Sequence, residues 1–207
     1  MDLLKKLQLI WEGNESPFLV YGGVALTFPD VLKADSLDLR DIKAGDVVAV
    51  IGDFTPDAIK ALLYLFSIGA IVVPLTEETK SDHEYFFKTA LVDVVVSEHG
   101  STWRDHNKTN PLIESLRDTG NSGLVLFSSG TTGRPKAILH NMEKFLVRFD
   151  TPRPPLKAIN FLLFDHIGGI NTLLHNLFNQ GTVVAPVDRS VATIIEMCER
   201  YNIEVLP

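Results

Sequence analysis

The sequence predicts an α/β fold: a mostly parallel sheet covered by helices, with a small hairpin near the N-terminus. Three observations carry this expectation. Seven short apolar runs, rich in Val and Ile, recur along the 207 residues. Continuous runs of that kind are how strands buried on both faces read. Longer stretches with helix start and stop signals fill the gaps between them. Regular strand–helix–strand alternation then implies parallel pairing with helices packed on the sheet faces.

Each element has its own signal. Phe18, Leu19, Val20 and Tyr21, then Gly22-Gly23, then Val24, Ala25 and Leu26 read as a hairpin. Residues 30–42 follow as a helix, and Lys43-Ala44-Gly45-Asp46 turns the chain into the first buried strand, 47–51. Thr55-Pro56 opens a helix well, because the hydroxyl caps and proline at the first position has no N–H to lose. That helix is apolar nearly all round to Ile68 and ends at Gly69. A strand is expected at 71–75, and Ser81-Asp82-His83-Glu84 reads as a capping box before Tyr85-Phe86-Phe87. A strand at 92–96, a loop at 100–110 and a helix opened by Asn110-Pro111 come next.

Further strands are expected at 124–127, 161–164, 182–185 and 203–206. Asn141 caps a helix over 142–149, and residues 151–155 form a loop. Ser190 caps a helix whose Val191, Ile194, Ile195, Cys198 and Tyr201 form one apolar stripe, which places Cys198 in the core. Two units are expected: a hairpin-and-helix region at 1–45 and an α/β phosphate-binding subdomain at 46–207.

Composition bounds the function. With 45% hydrophobic and 22% charged residues, the chain is neither disordered nor a disulfide miniprotein. The net charge of −7 and the lack of a contiguous basic cluster argue against nucleic acid and anionic membrane as partners. Cys198 is the one cysteine, so no internal disulfide forms. No signal-peptide pattern or membrane-length apolar run is present, so the expectation is a cytoplasmic protein.

The chemistry concentrates in Ser128-Ser129-Gly130-Thr131-Thr132-Gly133-Arg134-Pro135-Lys136, between two apolar runs. Glycines let backbone N–H groups converge on one point and let an anion approach closely. Four hydroxyls add donors without bulk, and Lys136 adds a positive charge at the exit. These parts suit a polyphosphate. The Walker-type loop, in which Gly-Lys-Ser/Thr opens a helix, is a different arrangement. Here Pro135 separates Gly133 from Lys136 and disfavours helix at Arg134, so a strand is expected after Lys136.

This run resembles the signature loop of the AMP-forming adenylating enzymes, a superfamily of acyl- and aryl-CoA synthetases, nonribosomal peptide synthetase adenylation domains and beetle luciferases. Residues 45–50, 69–75, 166–174 and 181–184 resemble further segments of that family in the same order, so the likeness covers most of 18–207. It implies the N-terminal part of the family's large domain. It also implies a two-step reaction: a carboxylate attacks the α-phosphorus of ATP, giving acyl-AMP and pyrophosphate, and a thiol of CoA or a carrier protein then takes the acyl group. By the resemblance, Ser128, Ser129, Gly130, Thr131, Thr132 and Gly133 wrap the β- and γ-phosphates with Lys136 nearby. His166 stands beside the reacting carboxylate, with Gly168 and Gly169 allowing close passage.

Asp165, Leu163 and Ala137 depart from the family's common residues, an aromatic, a proline and a glycine. The family's adenine-contacting segment, its ribose-binding aspartate and its C-terminal catalytic lysine come later in its pattern. So does the glutamate that helps hold Mg²⁺, which leaves no complete metal site expected here. The resemblance therefore implies less than half of a complete enzyme, inactive alone. A non-catalytic nucleotide- or ligand-binding domain that keeps the loop is the alternative.

Overall fold

The computed structural model describes residues 3–128 and 133–207. In chain order the elements are α1 (Leu3–Ile10), β1 (Pro17–Tyr21), β2 (Val24–Thr27), α2 (Phe28–Leu32), β3 (Val47–Ile51), α3 (Pro56–Ser67) and β4 (Ile71–Leu75). They continue with α4 (His83–Ala90), β5 (Val94–Ser97), β6 (Gly100–Trp103), α5 (Pro111–Thr119), β7 (Gly123–Ser128) and β8 (Lys136–Asn141). The last are α6 (Met142–Leu146), β9 (Lys157–Ile159), α7 (Ile167–Phe178), β10 (Thr182–Ala185) and α8 (Val191–Tyr201). Short 3₁₀ turns cover Glu77–Asp82 and Val147–Phe149.

Two sheets form. The larger runs β6-β5-β3-β4-β7-β8, with β3, β4, β5 and β7 parallel and an antiparallel strand at each edge. The smaller runs β2-β1-β10-β9, and its strands are parallel except for the β1–β2 hairpin. The N-terminal hairpin thus joins a sheet with strands from the far end of the sequence, Leu19 opposite Val183.

Strand alternation splits the core in two. Val48, Val50, Val72 and Leu126 face α3, α7 and the smaller sheet. Val47, Ala49, Val73 and Val125 face Phe86, Phe87, Ile113 and Leu116 of α4 and α5. A sheet covered on both faces explains why its strands carry continuous apolar runs. Thr55 caps α3 as its hydroxyl implies, accepting from the N–H of Ala58. Asn110, Asn141 and Ser190 cap α5, α6 and α8 in the same way.

Several expectations are corrected. Residues 161–164 are not a strand; β9 lies earlier, at Lys157–Ile159, and Phe164 is buried in a turn edge-on to Phe54 at 5.3 Å. A short apolar run marks burial, whichever backbone carries it. Of 203–206, only Val205 bridges the sheet, pairing with Ala158. The helix expected over 30–42 stops at Leu32, since Leu37 and Leu39 pack at alternate positions and Asp57 holds the N–H of Ser36 at 2.8 Å.

The loop expected at 100–110 begins with strand β6, paired to β5. No capping box forms at 81–84: the 3₁₀ turn runs straight into α4, Asp82 makes no cap, and Glu84 instead pairs with Arg104. The α8 stripe is not core: Val191 and Ile195 are exposed, and Cys198 is only half-buried.

Candidate functional site

Parallel strands place their carboxyl ends along one edge, which is where open α/β sheets bind ligands. β3 ends at Ile51, level with Leu75 of β4, and Asp53 and Thr76 follow them there. β7 runs parallel to β4 from the Ile71–Gly123 pair, so Ser128 leaves the sheet on the same side. Lys136 begins β8 directly opposite Ser128, so the loop between them is closed at its base by that pair. The strand after Lys136 is the one Pro135 implies. Lys136 and Gly133 are exposed; Ser129, Gly130, Thr131 and Thr132 lie outside the described residues.

Helix α4 holds both limbs of this loop. Phe86 stacks on Phe127 at 4.1 Å on the entry limb. On the exit limb, the Tyr85 hydroxyl donates to the Pro135 carbonyl at 2.8 Å, and Arg134 lies over the Tyr85 ring. The Tyr-Phe-Phe run therefore has a role beyond filling the core, one that sequence spacing did not disclose.

His166 sits at the N-cap of α7 with extended backbone, its side chain about half exposed. Its backbone N–H donates to the Leu163 carbonyl at 3.1 Å. Asp165 beside it is buried, and its Oδ2 lies 3.3 Å from the hydroxyls of both Thr76 and Thr79. These contacts bring the start of α7 to the carboxyl end of β4, the edge that also carries the loop. The buried His83 ring donates from Nε2 to the Thr76 carbonyl at 2.9 Å, fixing the same turn. Among the described residues, the buried Asp165 Oδ1 has no hydrogen-bond partner, and it lies 3.7 Å from His166 Nε2. An unmade bond of that kind costs about 1–3 kcal/mol, so this oxygen is set to accept from a donor.

Gly168 and Gly169 serve close packing. A Cβ on Gly168 would stand 2.6 Å from Leu162 Cδ1, and one on Gly169 would stand 2.5 Å from the Leu163 carbonyl oxygen and 2.9 Å from Phe54. The buried Asn160 side chain donates to the Gly169 carbonyl at 3.1 Å.

The two sheets meet at this edge. Arg189, after β10, donates to Asp53 Oδ1 at 2.7 Å and to the Phe161 carbonyl at 2.8 Å. Burial works against the Arg189 charge, but the carboxylates of Asp53, Glu78 and Asp165 outweigh it and hold the guanidinium above its usual range. Spacing did not mark Asp53 or Arg189, because 136 residues separate them. Among the described residues, no group of three or more His, Cys, Asp or Glu side chains is placed to hold a metal ion. Among the described residues, no helix is long and apolar enough to cross a membrane.

No family model matches the chain. Phenyloxazoline synthase MbtB from Mycobacterium sp. (strain MCS) is 30% identical over 120 residues, covering 50% of this chain and 10% of that protein. Feruloyl-CoA synthase from Amycolatopsis sp. is 24% identical over 218 aligned residues, covering 84% of this chain and 44% of that protein. The chain spans under half the length of these relatives. Among solved structures, the N-terminal subdomain of Klebsiella oxytoca NpsA in complex with 3-hydroxyanthranilyl-AMSN superposes with a TM-score of 0.72 at 17% identity, covering 96% of this chain and 58% of that one. The chain carries the fold of the N-terminal portion of the AMP-forming adenylating-enzyme superfamily.

Proposed function

We propose that the chain is the phosphate-holding part of an ATP-dependent, AMP-forming carboxylate ligase. The observation that carries this reading is the Ser/Thr/Gly run of 128–136, closed by the Ser128–Lys136 pair at the carboxyl edge of a parallel sheet. In the first step a carboxylate oxygen of the substrate attacks the α-phosphorus. The bond from that phosphorus to the bridging oxygen breaks, and pyrophosphate leaves. Negative charge grows on the leaving group, so preorganised donors and Lys136 stabilise the transition state more than the ground state. In the second step a thiolate attacks the acyl carbon and AMP leaves. CoA is the proposed acceptor, a carrier-protein thiol the other candidate; feruloyl-CoA synthase among the relatives favours the former.

His166 is the proposed neighbour of the reacting carboxylate, since Asp165 brings it to the same edge as the loop. The complete reaction is assigned to a longer protein of which these residues are part, with the 207 residues alone inactive.

The test is carboxylate-dependent ATP–pyrophosphate exchange by that longer protein, over a panel of aryl, alkyl and amino acids, with acyl-AMP detected by mass spectrometry. Exchange with at least one acid is the expected result. Tight ATP binding with no exchange for any acid would instead favour a non-catalytic nucleotide-binding domain.

A further inference from the structure

A second group of polar residues lies apart from the 128–136 run, beside the 3₁₀ turn Val147–Phe149. β8 runs from Lys136 to Asn141, about 17 Å at 3.4 Å per residue, before the chain reaches the 3₁₀ turn Val147–Phe149. There a cavity of about 130 Å³ opens between that turn, the following loop and one side of α7. Arg148, Thr151, Arg153, Asn171, His175 and Asn179 line it, against a wall formed by Phe149. No carboxylate is among its lining residues. The nearest acidic residue in sequence, Asp150, is engaged by Lys6 at 2.8 Å.

The fold assembles this cluster from positions that look scattered in the sequence. Asn179 accepts from the Arg153 backbone N–H at 2.6 Å and donates to the His175 carbonyl at 2.7 Å, which pins the loop to the helix. The Arg148 guanidinium lies over the Phe145 ring at 3.9 Å, which fixes its plane while leaving its in-plane N–H donors available. Among the described residues neither arginine has a carboxylate partner, in a chain whose net charge is −7. Burial, and then the Arg153 charge, hold His175 below the usual histidine range. His140 is lowered in the same way, by burial and then by Arg148.

We propose that this cavity binds the dianion of a phosphate group, free or as a monoester. Arg148 and Arg153 supply charge-assisted donors, and Asn171, Thr151 and the His175 ring supply neutral ones. The volume sits below the roughly 300–1,000 Å³ of drug-sized sites, so it takes one phosphate and not a nucleotide. A phosphate carries about −1.5 to −2 charges at pH 7. That matches two guanidinium groups, whereas a carboxylate leaves one uncompensated.

The test follows the His175 ring resonances by NMR at constant ionic strength. The chain is titrated with inorganic phosphate, phenyl phosphate and acetate. A saturable shift is expected with a phosphate, about tenfold tighter than with acetate. Preference for phenyl phosphate identifies a monoester as the ligand, and preference for inorganic phosphate identifies the free ion. Arg153→Gln and Arg148→Gln should each weaken binding about tenfold. Arg40→Gln, which removes the same charge from a distant exposed ion pair, should leave it unchanged. A shift that never saturates, that acetate reproduces, or that all three variants alter equally overturns the proposal.

Discussion

Lys136 and Ser128 show how much of the candidate site depends on single side chains in exact register. They face each other across β7 and β8, at the two limbs of the 128–136 run. Tyr85 then fixes the exit limb with one hydroxyl. Replacing Tyr85 by Phe keeps the ring beneath Arg134 and removes that hydrogen bond, a loss of about 0.5–1.5 kcal/mol. The expected outcome in the complete protein is a KM for ATP raised several-fold with little loss of stability. Steady-state kinetics beside a thermal melt check it, and an unchanged KM would show that the limb holds its place without Tyr85. The 128–136 run stands out in the sequence because its small and hydroxylated residues are contiguous, although Ser129, Gly130, Thr131 and Thr132 lie outside the described residues. Tyr85, Thr76, Thr79 and Arg189 do not stand out, because their partners Pro135, Asp165 and Asp53 are distant along the chain.

At the scale of elements, the start of α7 is a tight junction, since Gly169 has the Leu163 carbonyl and the Phe54 ring where a Cβ would be. Overpacking of this kind costs about 1–3 kcal/mol. Gly169→Ala should therefore lower the unfolding free energy from urea titration by about 1–3 kcal/mol, with a lower midpoint, while the far-UV spectrum stays the same. A wild-type midpoint would mean that the turn at 161–164 yields freely. The apolar residues of that turn have the composition of a strand because they report burial and not backbone conformation. Helix α2 carries the capping box that 81–84 lacks: Thr27 and Asp30 exchange hydrogen bonds, and the Thr27 hydroxyl leads Lys33 in holding Asp30 at about 2 instead of 3.8. An acid lowered on folding adds stability above its unfolded value and loses it as pH falls through its folded value. The stability gap between wild type and Asp30→Asn should therefore be full above about pH 4 and close by about pH 2, as read from urea titrations. A gap constant over that range would contradict the capping role.

For the whole molecule, the buried runs of β3, β4, β7 and β10 were legible because both faces of each strand are covered. The pairing of β1 with β10 was not, since nothing local in Leu19 specifies Val183 as its neighbour. The same long-range assembly joins Asp53 to Arg189 and brings Asp165 to Thr76, so the loop and His166 share one edge. The central claim is that this edge stabilises a departing pyrophosphate, and Lys136 is its charged element. Its most direct test is the rate of ATP–pyrophosphate exchange by the complete protein carrying Lys136→Ala, with a melt to establish folding. The predicted result is a fall of about 10²–10³ in rate at unchanged stability, the typical cost of losing one transition-state donor. Near-normal exchange in the folded variant would contradict the account.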